Sequence, residues 1–124
     1  MPLKTRIPVL LLATWLAVTI CACRSHGIDV TVQNNASVPI RNVEVDYPGA
    51  AFGAPTIVPG KSYWYHIKPT GDGEVSLSFE MDNGKTFHQK GPTVHASDRG
   101  KMILIVEQDA TQQWRIRAQV LTHR

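Results

Sequence analysis

The sequence predicts an all-β fold, a two-sheet antiparallel sandwich of about seven strands, and three observations carry that expectation. From residue 28 onward the chain is a succession of short runs in which apolar and polar residues alternate, as the two faces of a half-buried strand require. Turn-forming residues, among them Pro48-Gly49, Pro59-Gly60 and Asn83-Gly84, punctuate those runs. No window sustains the period of an amphipathic helix. A small barrel is the competing way to close the same strands.

Taken in order, residues 28–33 alternate with Ile28, Val30 and Val32 inward. A turn at residues 34–37 leads into residues 40–47, where Val43, Val45 and Tyr47 alternate with Glu44 and Asp46. Residues 50–58 are weakly patterned and interrupted by Pro55, which suits an edge strand or an irregular crossing. Residues 62–67 place Tyr63, Tyr65 and Ile67 on one face and Trp64 with His66 on the other. The cleanest half-buried strand follows, with Val75, Leu77, Phe79 and Met81 inward against Ser76, Ser78 and Glu80. Asp82-Asn83-Gly84 suggests a type I′ hairpin into a short, polar strand at residues 85–90. Residues 91–100 read as a ten-residue loop without periodicity, carrying His95, Ser97 and Asp98. The unbroken run Met102-Ile103-Leu104-Ile105-Val106 reads as a central strand covered on both faces, with Ile103 and Ile105 packing on the inward set of residues 75–81. Residues 113–120 close the domain with Trp114, Ile116, Ala118 and Val120 inward.

This pattern suits a sandwich of immunoglobulin or fibronectin type III character, a resemblance of architecture alone, since the paired cysteines and core tryptophan of antibody domains have no counterpart here. The N-terminus is more specific. Lys4 and Arg6 precede an apolar run at residues 7–20, too short for the roughly 20 residues that cross a bilayer. That run ends in Ile20-Cys21-Ala22-Cys23, which resembles the lipobox of bacterial lipoproteins: a branched aliphatic three positions before a cysteine and a small residue just before it. The resemblance implies a signal peptide at residues 1–22, cleavage by signal peptidase II, and lipidation of Cys23, including a palmitate-type acyl chain. Cys21 competes as acceptor, but the bulky Ile20 precedes it. An uncleaved anchor or an ordinary secretory signal cut near Ala22 are the alternatives. Residues 23–27 then form a lipidated tether reaching about 17 Å at most, and residues 28–124 a single domain held close to the membrane.

Without the leader, eleven basic residues face ten acidic ones, so the charge of +3 on the whole chain falls to +1 and gives no argument for nucleic acid. No disulfide remains possible within one mature chain. Ser97, His95 and Asp98 lack a nucleophile elbow, and the five histidines show no metal-ligand spacing, so neither catalysis, nor a metal, nor a cofactor is expected. Trp64 with His66, and His95, Ser97 and Asp98 in the loop, are the candidate partner-binding residues. The reading is a lipid-anchored, non-catalytic binding or structural module in the bacterial envelope, facing the periplasm. Its membrane contact is the lipid at Cys23 and its partner an envelope protein or glycan. Arg24 and Ser25 after Cys23, in place of aspartate, favour the outer membrane by resemblance to enterobacterial sorting. An inhibitor of a lytic envelope enzyme, presenting residues 91–100, is the alternative; a small hydrolase or metal-binding protein stands behind it.

Overall fold

The computed structural model describes residues 26–123, so the leader, Cys23 and most of the tether lie outside the described residues. Eight strands follow one another: β1 Gly27–Asn34, β2 Arg41–Tyr47, β3 Ala50–Ala54, β4 Ser62–Ile67, β5 Gly73–Glu80, β6 Thr86–Val94, β7 Arg99–Gln108 and β8 Trp114–His123. They form two four-stranded sheets, ordered β4-β1-β7-β8 and β3-β2-β5-β6. The sandwich expected from the alternation is there, with eight strands instead of seven. One pairing is parallel: β1 runs alongside β7 from Gly27 opposite Arg99 to Asn34 opposite Val106.

Alternation becomes burial most plainly in β1 and β5. Ile28, Val30 and Val32 of β1 meet Val75, Leu77 and Phe79 of β5 in one core, none of them more than 1% exposed. Each such side chain contributes about 1.5–3 kcal/mol by leaving water. The inward residues of β7 are Met102, Leu104 and Val106, opposite Val30, Val32 and Asn34, so the expected parity of that run is corrected. Ile103 and Ile105 point to the outer face. An unbroken apolar run carries no parity of its own, and only register with β1 decides it.

The two long sides of the sandwich are closed by aromatic groups. On one, Phe52 stacks on Tyr65 at 4.8 Å and on Tyr63 at 6.5 Å; on the other, Phe79 meets Trp114 edge-on at 5.1 Å and Phe87 at 5.3 Å. Tyr65 faces inward as expected but sits at the rim, 46% exposed. Gln89 of β6 adds a bridge to the outermost strand of the other sheet. Its amide donates to the Ile116 carbonyl at 2.8 Å and accepts from the Ile116 N–H at 3.1 Å, occupying a backbone pair at the open edge of β8.

Three expectations need correction. The hairpin after β5 is not type I′: Gly84 donates to the Met81 carbonyl at 3.0 Å, and only Gly84, at φ 82°, has positive φ. This is the three-residue loop in which a turn is followed by a left-handed glycine. Next, residues 91–94 continue β6, so the ten-residue loop shrinks to a turn at 95–98. Its strand was hidden because Lys90, Gly91 and Pro92 break the apolar pattern on an edge strand that β5 pairs on one side only. Finally, Ala118 and Val120 lie on the inward side of β8 yet are exposed, because β8 overhangs the facing sheet.

At the pole opposite the tether, Asn34 is fully buried at the end of β1. Its amide donates to the carbonyls of Val38 at 2.9 Å and Ile57 at 2.8 Å, and its oxygen accepts from the Ala36 N–H at 2.9 Å. One side chain therefore ties two connections to the sheet. Replacing Asn34 with Ala should lower the unfolding free energy by about 2–4 kcal/mol, because buried partners are left without bonds. Asn35→Ala next to it, on an exposed side chain, should stay within about 0.5 kcal/mol; urea titrations of both variants check this.

Candidate functional site

Strand register arranges the outer face of the β4-β1-β7-β8 sheet into cross-strand rows. One row reads His66, Asp29, Lys101, Leu121, and the next Trp64, Thr31, Ile103, Gln119. Two shallow hollows lie over these rows. The first, about 350 Å³, is lined by Asp29, Thr31, Trp64, Lys101 and Ile103; the second, about 240 Å³, by Lys101, Ile103, Gln119, Val120 and Leu121. Because they share Lys101 and Ile103, they form one trough across four strands, about 14 Å at the usual strand spacing. Trp64 and Leu121 stand at its two ends, each 66% exposed.

His66 is not free in this site. Its Nδ1 lies 2.7 Å from Asp29 Oδ1 and its Nε2 2.9 Å from the carbonyl of His26. Both neighbours can only accept, so two N–H groups are needed to satisfy them, and only the imidazolium has two. The hydrogen bond to Asp29, then that to His26, hold its pKa above the ordinary histidine value, against the opposing effect of partial burial. Gly27 completes the junction at φ 127°: a Cβ there would strike the Ile67 carbonyl and the His66 ring. The first residues of the domain are thus pinned to the edge strand β4.

The turn at residues 95–98 closes the same pole of the sandwich, between the end of β6 and the start of β7. Asp98 is 4% exposed and its carboxylate accepts from the His95 N–H at 2.9 Å, while its own N–H donates to the His95 carbonyl at 3.1 Å. It braces the turn and exposes little of its own surface. His95 Nδ1 faces Asp72 at 3.1 Å, so Ser97, His95 and Asp98 do not assemble into a relay. Ser97 is exposed. Among the described residues no group of three or more His, Cys, Asp or Glu is placed to hold a metal ion.

Of the five expected contact residues, then, Trp64 and Ser97 present open surface, His66 and His95 are part-buried and each faces an aspartate, and Asp98 is internal. Lys101, Ile103 and Leu121 enter the site without having been anticipated. The adjacent pair Val120-Leu121 was the available signal, since neighbouring strand residues point to opposite faces and both cannot enter one core.

The His66 contacts make a pH prediction. A histidine whose pKa is raised by folding adds stability that is fully present below its unfolded value, about 6.5, and is lost as pH rises through the folded value. The stability difference between wild type and His66→Gln should therefore be larger at about pH 5.5 than at about pH 9. Chemical denaturation at both pH values measures it. A difference that is unchanged or grows with pH would contradict the imidazolium assignment.

No protein-family model matches the chain, and no curated protein matches it. Its fold is similar to that of a protein from Eubacterium rectale whose structure was solved by NMR. The TM-score is 0.62 at 11% sequence identity, over 75% of this chain and 88% of that one. At that identity the likeness is one of fold alone.

Proposed function

We propose that the protein is a lipid-anchored, non-catalytic accessory module of the bacterial envelope, held at the outer membrane on its periplasmic side by lipid on Cys23. The observation that carries this reading is the sequence Ile20-Cys21-Ala22-Cys23 at the end of a short apolar leader, with three residues between Cys23 and the first strand. Two further features support it. All five expected contact residues lie on the outer face of β4 or at the pole where the tether joins the sandwich, and the trough bearing Trp64 opens beside them. Binding, to an envelope protein, a glycan or the membrane itself, asks only for such a surface and not for converging acids, bases and nucleophiles. The inhibitor reading needs a projecting loop, and the segment it relied on is a four-residue turn braced by Asp98.

Two acyl signals convert marginal membrane binding into stable anchoring. Cys23→Ala should accordingly shift the protein from the membrane to the soluble fraction, whereas Cys21→Ala should leave it membrane-bound. Fractionation of cells expressing each variant tests this. Retention of Cys23→Ala in the membrane together with release of Cys21→Ala would place the lipid on the other cysteine, and retention of both would favour an uncleaved anchor.

A further inference from the structure

We propose that the occupant of the Trp64 trough is the bilayer surface, an anionic phospholipid headgroup layer, so that the β4-β1-β7-β8 sheet lies on the membrane and the β3-β2-β5-β6 sheet faces away. The inference rests on the lipid anchor at Cys23 and names the partner of the site that reading leaves open. Reach is the first argument. Thr31, the register partner of Trp64, lies four residues along β1 from Gly27, about 13 Å at strand rise. From Cys23 to Gly27 there are likewise four residues, about 13–14 Å when extended. A tether of that length lets the domain lie down on this face, and it leaves little room for a folded protein between the trough and the membrane.

Charge is the second argument, and it separates the two sheets. The outer face of the trough sheet carries Lys101, Arg115 and Arg117 against Asp29 and Glu107. Both carboxylates are engaged, Asp29 by His66 at 2.7 Å and Glu107 by Arg115 at 2.9 Å and Arg117 at 3.4 Å. Lys68 and Arg99, exposed at the tether pole, make no ion pair with another described residue, and neither does Lys101. The outer face of the other sheet carries Glu44, Asp46, Glu74 and Glu80 against Arg41 and Lys90. An anionic surface attracts the first face and repels the second, by about 1 kcal/mol per cation near the lipid.

Side-chain chemistry is the third. Trp64 and Leu121 project from the two ends of the trough with Lys101 between them. An indole with one wet edge suits headgroup depth, and a lysine stem can lie on the apolar surface while its ammonium meets phosphate.

The test uses the lipidated chain, its modification at Cys23 verified by mass, reconstituted into vesicles of phosphatidylethanolamine and phosphatidylglycerol with brominated acyl chains. Beyond the leader the tryptophans are Trp64 and Trp114, and Trp114 is packed on Phe79. Bromine should quench the Trp64 emission; the quenchable component should vanish in Trp64→Phe and shrink in Lys101→Glu and at high salt. A lipidated protein whose Trp64 emission is unquenched, or a photo-crosslinker at position 64 that captures a protein instead of lipid in cells, overturns the proposal. Should Cys23 prove unmodified, the anchor reading fails separately. The chain lacking residues 1–23 is then applied to the same vesicles, since residues 26–123 close their own core. Salt-sensitive partition that drops about fivefold in Lys101→Ala supports the face, and absence of partition overturns it.

Discussion

Strand β1 has both of its edges taken, by β4 antiparallel and by β7 parallel, and its inward side is buried along its whole length. That constraint organises the rest of the molecule. A slip of one residue would carry Ile28, Val30 and Val32 to the outer face, so the register is strongly specified. Through it the parity of β7, and then of β8, follows. The tether joins this strand without an intervening linker, and the Gly27 and His66 junction fixes the joint from outside.

The fold was legible wherever alternation was strict. Residues 28–33 and 75–80 gave strands, faces and core correctly, because a polar residue between two apolar ones reports which side water is on. Legibility failed where that report was missing. Met102 to Val106 is apolar throughout, so its inward set is decided by pairing with β1 and not by its own letters. Residues 86–94 are mostly polar because β6 is an edge strand whose inward face reaches the core mainly through Phe87 and Val94, and polarity there imitates a loop. The hairpin glycine announced a turn, but whether one or two residues adopt positive φ depends on how Met81 and Lys85 close, which is set by the flanking ladder.

The site was legible in part for the same reason. Trp64 could be placed outside because Tyr63 and Tyr65 compete for the inside, an argument from parity alone. Lys101, Ile103 and Leu121 could not be joined to it, since they come from strands nearly forty and nearly sixty residues away and meet Trp64 only through the β1 register. The burial of Asp98 was not legible for a different reason. A carboxylate in a short polar segment looks solvated until the backbone amide that it caps is known. His66 likewise looked like a surface group, and its two acceptors lie on β1 and just ahead of it, far off in sequence.

On the proposed reading, the most constrained strand begins close to the membrane, the basic, aromatic-bearing face lies toward it, and the acidic face is turned the other way. The account depends above all on the covalent state of the N-terminus. Intact-mass and N-terminal peptide analysis of the protein extracted from cell envelopes measures that state directly. The account predicts a chain beginning at Cys23 with a diacylglyceryl group on its sulfur; a chain that begins elsewhere, or a free thiol at Cys23, would contradict it.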